Sequence, residues 1–347
     1  MDIDFDGYTY TVDFSSPLGR GAYGAVFPGF MKDNPEDRIV VKLFFYNETD
    51  PMITYFNWSE EVESVHLLGI DEDPRCSPYF VCYIGSVITK VDGIPAPLIA
   101  YKRAWGDMNK FTSSYRTHVN DETRFVFIKS MLMALKELRS RGLVHRDIKV
   151  ENILVYRERN EWSFVLGDLG SLCALQGNSL RCDADAQNRT TITSLPPIIR
   201  TRSISQSNDP VLNGYMDAGV DDTGYRTLED MMWADIYAMG CVIYTFLTGE
   251  TICKGRLQDA RPLKMPYIGY TDDDGIYHSI NGKRLADLLT VMIYSPTYRD
   301  ASMYERIDIY NEPQDVGTSI FRSIGKSIQR TARYRISPRR KKGSKNK

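Results

Sequence analysis

The feature that most limits what this chain can be lies between Val144 and Gly170. It reads Val-His-Arg-Asp-Ile-Lys-Val-Glu-Asn-Ile-Leu and, further on, Gly-Asp-Leu-Gly. Asp147, Lys149, Asn152 and Asp168 stand at spacings that suit transfer of a phosphoryl group from a metal-bound nucleotide to a hydroxyl. Asp147 has the chemistry to accept the hydroxyl proton. Asn152 and Asp168 are oxygen donors of the kind Mg²⁺ prefers. Lys149 brings a positive charge to the moving group.

Upstream, Leu18-Gly19-Arg20-Gly21-Ala22-Tyr23-Gly24-Ala25-Val26 contains the pattern G-x-G-x-x-G-x-V. Glycine lacks a Cβ, so backbone there can lie close over phosphates and offer N–H donors. Alone, the pattern also occurs in dinucleotide-binding sheets and in ordinary turns. Here strand-like residues flank it on both sides, and Ile39-Val40-Val41-Lys42 follows. Lys42 reads either as a solvated strand-edge lysine or as a phosphate clamp paired with a carboxylate. A helix expected over 58–69 carries Trp58, Val62, Val65 and Leu68 on one stripe and offers Glu60, Glu61 and Glu63. The stripe sets the direction of Glu61 and favours it as the partner, with Glu60 and Glu63 solvated.

The pattern of the chain divides it. Residues 8–46 and 79–104 read as strands, the second stretch broken at Asp92-Gly93 and at Pro95 and Pro97. Residues 121–141 form an amphipathic helix closed by Gly142. Short strands are expected over 153–156 and 163–167, and buried helices over 229–248 and 282–294. Residues 176–224, rich in Ser, Thr, Asn, Asp, Gly and Pro, read as a long loop. Eleven Lys and Arg and no acidic residue lie from Phe321 onward, leaving 32 basic against 45 acidic residues in the rest. The body is therefore acidic and the tail basic. Six scattered cysteines without a Cys-x-x-Cys pair argue against a zinc site and suggest reduced thiols in a cytoplasmic or nuclear setting. The acidic N-terminus lacks signal-peptide features, and no run approaches the ~18 apolar residues of a membrane span. The expectation is a soluble intracellular protein.

Taken in order, these motifs resemble the eukaryotic-type protein kinase family, over roughly residues 10–310. The resemblance implies an α+β, two-lobed kinase-like fold. A small antiparallel sheet lobe would span about 1–101 and a mainly helical lobe about 105–320, within a domain of 1–325. The insertion 176–224 would lie in the activation segment and 326–347 would be a flexible basic tail. It implies ATP under the loop from Leu18 to Val26, Lys42 on the phosphates and paired with Glu61, and Asp147 as base. Lys149 would contact the γ-phosphate, and Asn152 and Asp168 would hold Mg²⁺. Lys149 two residues after Asp147 is the serine/threonine arrangement, so protein Ser and Thr hydroxyls are the implied acceptors.

Trp233-Ala-Asp235-Ile-Tyr-Ala-Met-Gly240 resembles the helix whose Asp braces the catalytic loop, and an ion pair is expected between Glu229 and Arg299. Either Ala100 or its neighbour should stand at the back of the adenine pocket. The chain departs from the family at Leu169, Val40, Thr227-Leu228 and in the length between Asp168 and Glu229. Such divergence suits a viral or fast-evolving kinase. The other readings are an inactive scaffold on the same fold and a small-molecule kinase. The loop sequence Arg200-Thr-Arg202-Ser203-Ile-Ser205 reads as a surface insertion or a phosphorylation switch. The basic tail suits an acidic partner or a nuclear-import receptor, with nucleic acid and membrane not expected.

Overall fold

A hairpin opens the chain: β1 (Asp2–Phe5) and β2 (Tyr8–Val12) turn at Asp6-Gly7, both with left-handed backbone. The computed structural model describes residues 1–21, 23–71, 76–115, 119–158, 161–174, 228–250, 262–295 and 297–310. The 176–224 insertion, the 326–347 tail and the 200–205 motif lie outside these residues.

The short β3 (Gly19–Arg20), β4 (Gly24–Met31), β5 (Asn34–Phe44), β6 (Tyr83–Val91) and β7 (Ile94–Lys102) complete a seven-stranded antiparallel sheet. Its order is β1-β2-β4-β5-β7-β6, with β3 on β4. Phe5 of β1 approaches Gly85 of β6 so closely that a Cβ on Gly85 would sit 3.1 Å from the Phe5 Cβ. The two ends of the strand order therefore meet. One face encloses a small core of Ile3, Phe5, Tyr10, Val12, Phe27, Ile39, Val41, Leu98 and Ala100.

Strand alternation sends the other side chains of β7 the opposite way. Ile99 and Tyr101 join the larger core together with Phe44, Val65 and Leu68. Pro95 and Pro97 do not break the strand. They pair with Lys90 and Ile88 of β6, beyond the point where β5 stops pairing with β7 at Leu98. A missing N–H is tolerated where a strand has a neighbour on one side only.

Helix α1 (Pro51–Leu67) begins seven residues before the expected 58. The Asp50 side chain accepts from Met52 N and Pro51 occupies the first turn, a start signal that the apolar stripe does not reveal. Thr54, Glu61, Ser64 and Val65 are its buried residues, whereas Met52, Ile53 and Phe56 are exposed.

The described residues after β7 are mainly helical: α2 (Met108–Tyr115), α3 (Asp121–Ser140), α4 (Leu228–Thr248) and α5 (Gly282–Tyr294). Asn120 and Asn281 cap α3 and α5, and Gly142 follows α3 at φ +65°. Between them β8 (Gly106–Asp107), β10 (Ile153–Glu158) and β11 (Glu161–Leu166) form one sheet. Strands β9 (Leu143–Val144) and β12 (Cys173–Ala174) pair, as do β13 (Ile268–Thr271) and β14 (Tyr277–Ile280). Phe111, Phe127, Phe164 and Phe246 pack ring against ring inside this part.

Three expectations need correction. First, the thiols are not all reduced: Cys76 and Cys82 are bonded, and among the described residues no cysteine is free. The loop between them returns the chain to a Cα–Cα distance of 4.9 Å, within reach of a disulfide. Second, Glu229–Thr248 is long and apolar enough to cross a membrane, but 72% of that stretch is buried within the protein. Third, Glu229 and Arg299 are both exposed and form no ion pair among the described residues. The turn Tyr298–Ala301 packs Tyr298 on the core and leaves Arg299 outward.

Candidate active site

Two clusters of charged side chains are built on these elements. The first joins β5, α1 and the turn after β11. The register of β5 places Lys42 opposite Val26 of β4 and Ile99 of β7. Its Nζ lies 2.6 Å from Glu61 Oε2 and 3.3 Å from Asp168 Oδ1. The Glu61 side chain is 2% exposed, Lys42 19% and Asp168 45%. Burial works against the Lys42 ammonium, but the two carboxylates more than offset it and hold the amine above the ordinary lysine range. The Lys42 charge in turn holds the Asp168 carboxyl below its ordinary range.

Local backbone explains the fit. Asp168 is left-handed at φ +55°, and Leu169, fully buried, anchors the turn in the core. A Cβ on Gly170 would sit 2.9 Å from Glu61 Oε2, so a glycine lets the turn close on the α1 carboxylate. The hydroxyl of Tyr101 donates to the other Glu61 oxygen, Oε1, at 2.8 Å. The β7 register sends Ala100 and its neighbour Tyr101 to opposite faces of the sheet. Ala100 faces the small core, and Tyr101 faces α1. Motif reading left open whether Ala100 or its neighbour faces this way, because only strand pairing reveals which way each points.

The second cluster lies within the short stretch from His145 to Asn152. Lys149 Nζ donates to Asp147 Oδ2 at 2.6 Å, and Asn152 Nδ2 donates to the same oxygen at 2.9 Å and to the Asp147 carbonyl at 2.8 Å. Beneath it, Asp235 of α4 accepts from the backbone N–H groups of His145 (2.6 Å) and Arg146 (2.8 Å). Arg146 is left-handed at φ +68°, a conformation that costs about 1–2 kcal/mol and that the two bonds help to hold. Burial holds the Asp235 carboxyl above its ordinary range, although His145 and the two N–H donors pull the other way.

The clusters are tied together. The His145 ring bonds the Gly167 carbonyl at 3.0 Å, and Gly167 N donates to the Asn152 carbonyl at 2.8 Å. Arg146 Nε donates to the Ser171 carbonyl.

Of the glycine-rich loop, Gly19 and Arg20 pair with Val26 and Ala25, Gly21 N donates to the Gly24 carbonyl, and Leu18 and Tyr23 are exposed. Ala22 lies outside the described residues. Gly24 is the glycine the fold itself requires: a Cβ there would meet the Leu43 carbonyl oxygen at 2.3 Å. The others face open space, which suits a backbone that approaches a ligand.

No group of three or more His, Cys, Asp or Glu among the described residues could hold a metal. The available donors are the Asp168 carboxylate and the Asn152 amide oxygen, since Asn152 uses its nitrogen for both bonds to Asp147. A small oxygen-only set fits Mg²⁺, which fills its remaining positions with phosphate oxygens and water.

Comparison with known proteins identifies the family. The family model described as "Protein kinase domain" matches residues 12–209. Serine/threonine-protein kinase RAD53 of Saccharomyces cerevisiae is 29% identical over 155 residues, covering 44% of this chain and 17% of that protein. The provisionally named serine/threonine-protein kinase L673 of Acanthamoeba polyphaga mimivirus is 22% identical over 280 residues, covering 78% and 42%. Serine/threonine-protein kinase PKH3 of Saccharomyces cerevisiae is 26% identical over 261 residues, covering 70% and 24%. The aligned stretches thus span less than half the length of these relatives.

Proposed function

This chain belongs to the protein kinase domain family, and from that premise we propose that it is an active serine/threonine protein kinase that transfers the γ-phosphoryl group of ATP to protein Ser and Thr hydroxyls. The observation that carries the reading is the shared Lys42 amine, 2.6 Å from Glu61 and 3.3 Å from Asp168, beside a catalytic loop that holds Asp147 between Lys149 and Asn152.

In this reading the sheet-rich and helical parts are the two lobes of a kinase, with ATP in the cleft between them. The loop from Leu18 to Val26 covers the nucleotide, and Val40, half-buried beside the larger core, narrows the adenine end. Lys42 neutralises α- and β-phosphate charge, and Glu61 fixes where its ammonium sits. Asp147 orients the acceptor hydroxyl and takes its proton, and Lys149, bonded to the same carboxylate, meets charge gathering on the γ-phosphoryl group. Asn152 and Asp168 would hold Mg²⁺, which when bound screens the phosphate oxygens.

Leu169 keeps the turn after Asp168 anchored without an aromatic ring, so this departure from the family argues little for an inactive scaffold. Protein substrates are the proposed partners, with an acidic partner or import receptor for the basic tail. An intracellular setting, cytoplasmic or nuclear, is part of the same reading. It rests on ATP as substrate and no longer on the thiol state.

The test is incubation of the purified chain with γ-labelled ATP, Mg²⁺ and a basic acceptor protein, followed by phosphoamino-acid analysis. Label on Ser and Thr is expected. Binding of ATP with Mg²⁺ in a thermal-shift titration, without transfer to any of several acceptors, would leave the scaffold as the better reading.

A further inference from the structure

The family pattern supplies the pair Lys42–Glu61 but not what orients Glu61. A carboxylate has two oxygens, and here each has a different partner. Oε2 takes Lys42 and Oε1 takes the Tyr101 hydroxyl. Tyr101 is 7% exposed, sits opposite Val40 and Tyr83 in the sheet, and packs edge-on against the Tyr83 ring at 6.2 Å. Its ring therefore has little freedom to leave. One turn away on α1, Trp58 Nε1 donates to the Leu98 carbonyl of the same strand at 3.1 Å. Residues 58 and 61 share a helix face, so α1 is fastened to β7 at two neighbouring points.

Lys42 is shared between two acids, and the sharing matters. If Glu61 rotated away, the ammonium would be left to Asp168, the carboxylate on which metal binding depends. Glu61 is 2% exposed, so without a second donor its Oε1 would also be buried and unpaired. Burial and the adjacent carboxylate both raise the phenol well above its ordinary range, which keeps the hydroxyl a donor at any working pH.

We propose that Tyr101 is a positioning residue: by donating to Glu61 Oε1 it fixes the carboxylate plane, keeps Lys42 bridging Glu61 and Asp168, and so leaves Asp168 available for the metal–nucleotide complex. The inference rests on the kinase reading above and adds a residue to it. Tyr101 acts through Glu61 and touches neither the reacting phosphorus nor the acceptor.

The experiment is a double-mutant cycle with Tyr101→Phe and Glu61→Gln, read in two ways: kcat and KM for ATP in phosphoryl transfer, and Kd for a fluorescent ATP analogue with Mg²⁺. Tyr101→Phe should lower kcat/KM for ATP by about ten- to a hundredfold, the size of a lost hydrogen bond to a charged group. Most of the loss should fall on KM and on the analogue's Kd. In the Glu61→Gln background the same substitution should change either readout less than about threefold, since the carboxylate it orients is gone. Tyr101→Met, which fills the space without a donor, should repeat the loss, and melting curves check that each variant folds. A Tyr101→Phe protein with wild-type constants would overturn the proposal. So would losses that multiply fully in the double variant, because the tyrosine would then act only by packing. A wild-type chain that transfers no label would instead count against the kinase reading, while the analogue's Kd still reports on Tyr101.

Discussion

The two charged clusters are assembled in opposite ways. Lys42, Glu61 and Asp168 come from three elements, 19 and 126 residues apart in the pairs that touch, and they meet only through side chains. Asp147, Lys149 and Asn152 lie within six consecutive residues. Their orientation is fixed from below, by Asp235 bonds to backbone N–H groups and by the His145 ring on the Gly167 carbonyl. The first cluster depends on where α1 sits and can be lost by moving a helix. The second is preorganised in the backbone and resists such movement. Under the proposed function, nucleotide holding falls to the adjustable cluster and proton handling to the rigid one.

The sharpest way to break that division is Asp147→Asn. The substitution leaves the shape of the loop and removes the base, so turnover should fall about 10²–10⁴-fold. ATP affinity and the melting temperature should stay close to wild type, as transfer assays and thermal titration would report.

Lys42→Met should give the reverse signature. It leaves Glu61 buried without its ion-pair partner, at a cost of about 3–5 kcal/mol in denaturant unfolding, and the thermal shift produced by ATP with Mg²⁺ should nearly vanish. Asp235→Asn tests the rigid cluster without touching Lys42, Glu61 or Asp168. An amide nitrogen would face a backbone N–H donor, leaving that donor unpaired, so stability should fall by about 1–3 kcal/mol. Transfer should fall further than nucleotide affinity. The smallest effect is expected from Gly170→Ala. The added methyl crowds only the end of the Glu61 side chain and should cost about 1 kcal/mol, the low end for overpacking, with a modest rise in KM for ATP. If that variant lost kcat and kept KM, the separation of roles would be wrong.

The sequence made the rigid cluster plain, because its residues are neighbours whose chemistry reads directly from their spacing. It also gave α5 at 282–294, where an Asn cap and an apolar stripe agree. Glu61 could be chosen over Glu60 and Glu63 because a helical stripe carries direction. The start of α1 could not be read from periodicity, since Met52, Ile53 and Phe56 in its first turns are apolar yet exposed. The choice between Ala100 and Tyr101 stayed open for a different reason. In a strand a shift of one residue exchanges the two faces, and only pairing with β5 and β6 places Ala100 inward and Tyr101 toward α1. The Glu229–Arg299 pair was carried over from the family pattern, and both residues are exposed and unpaired with each other.

One sample of the Asp147→Asn protein decides this division of labour, with ATP binding in the presence of Mg²⁺ measured calorimetrically and γ-phosphoryl transfer measured side by side with wild type. Nucleotide binding should stay within about twofold of wild type, a change under about half a kcal/mol, and transfer should fall by at least about a hundredfold. Transfer at the wild-type rate, or loss of nucleotide binding together with transfer, would contradict it.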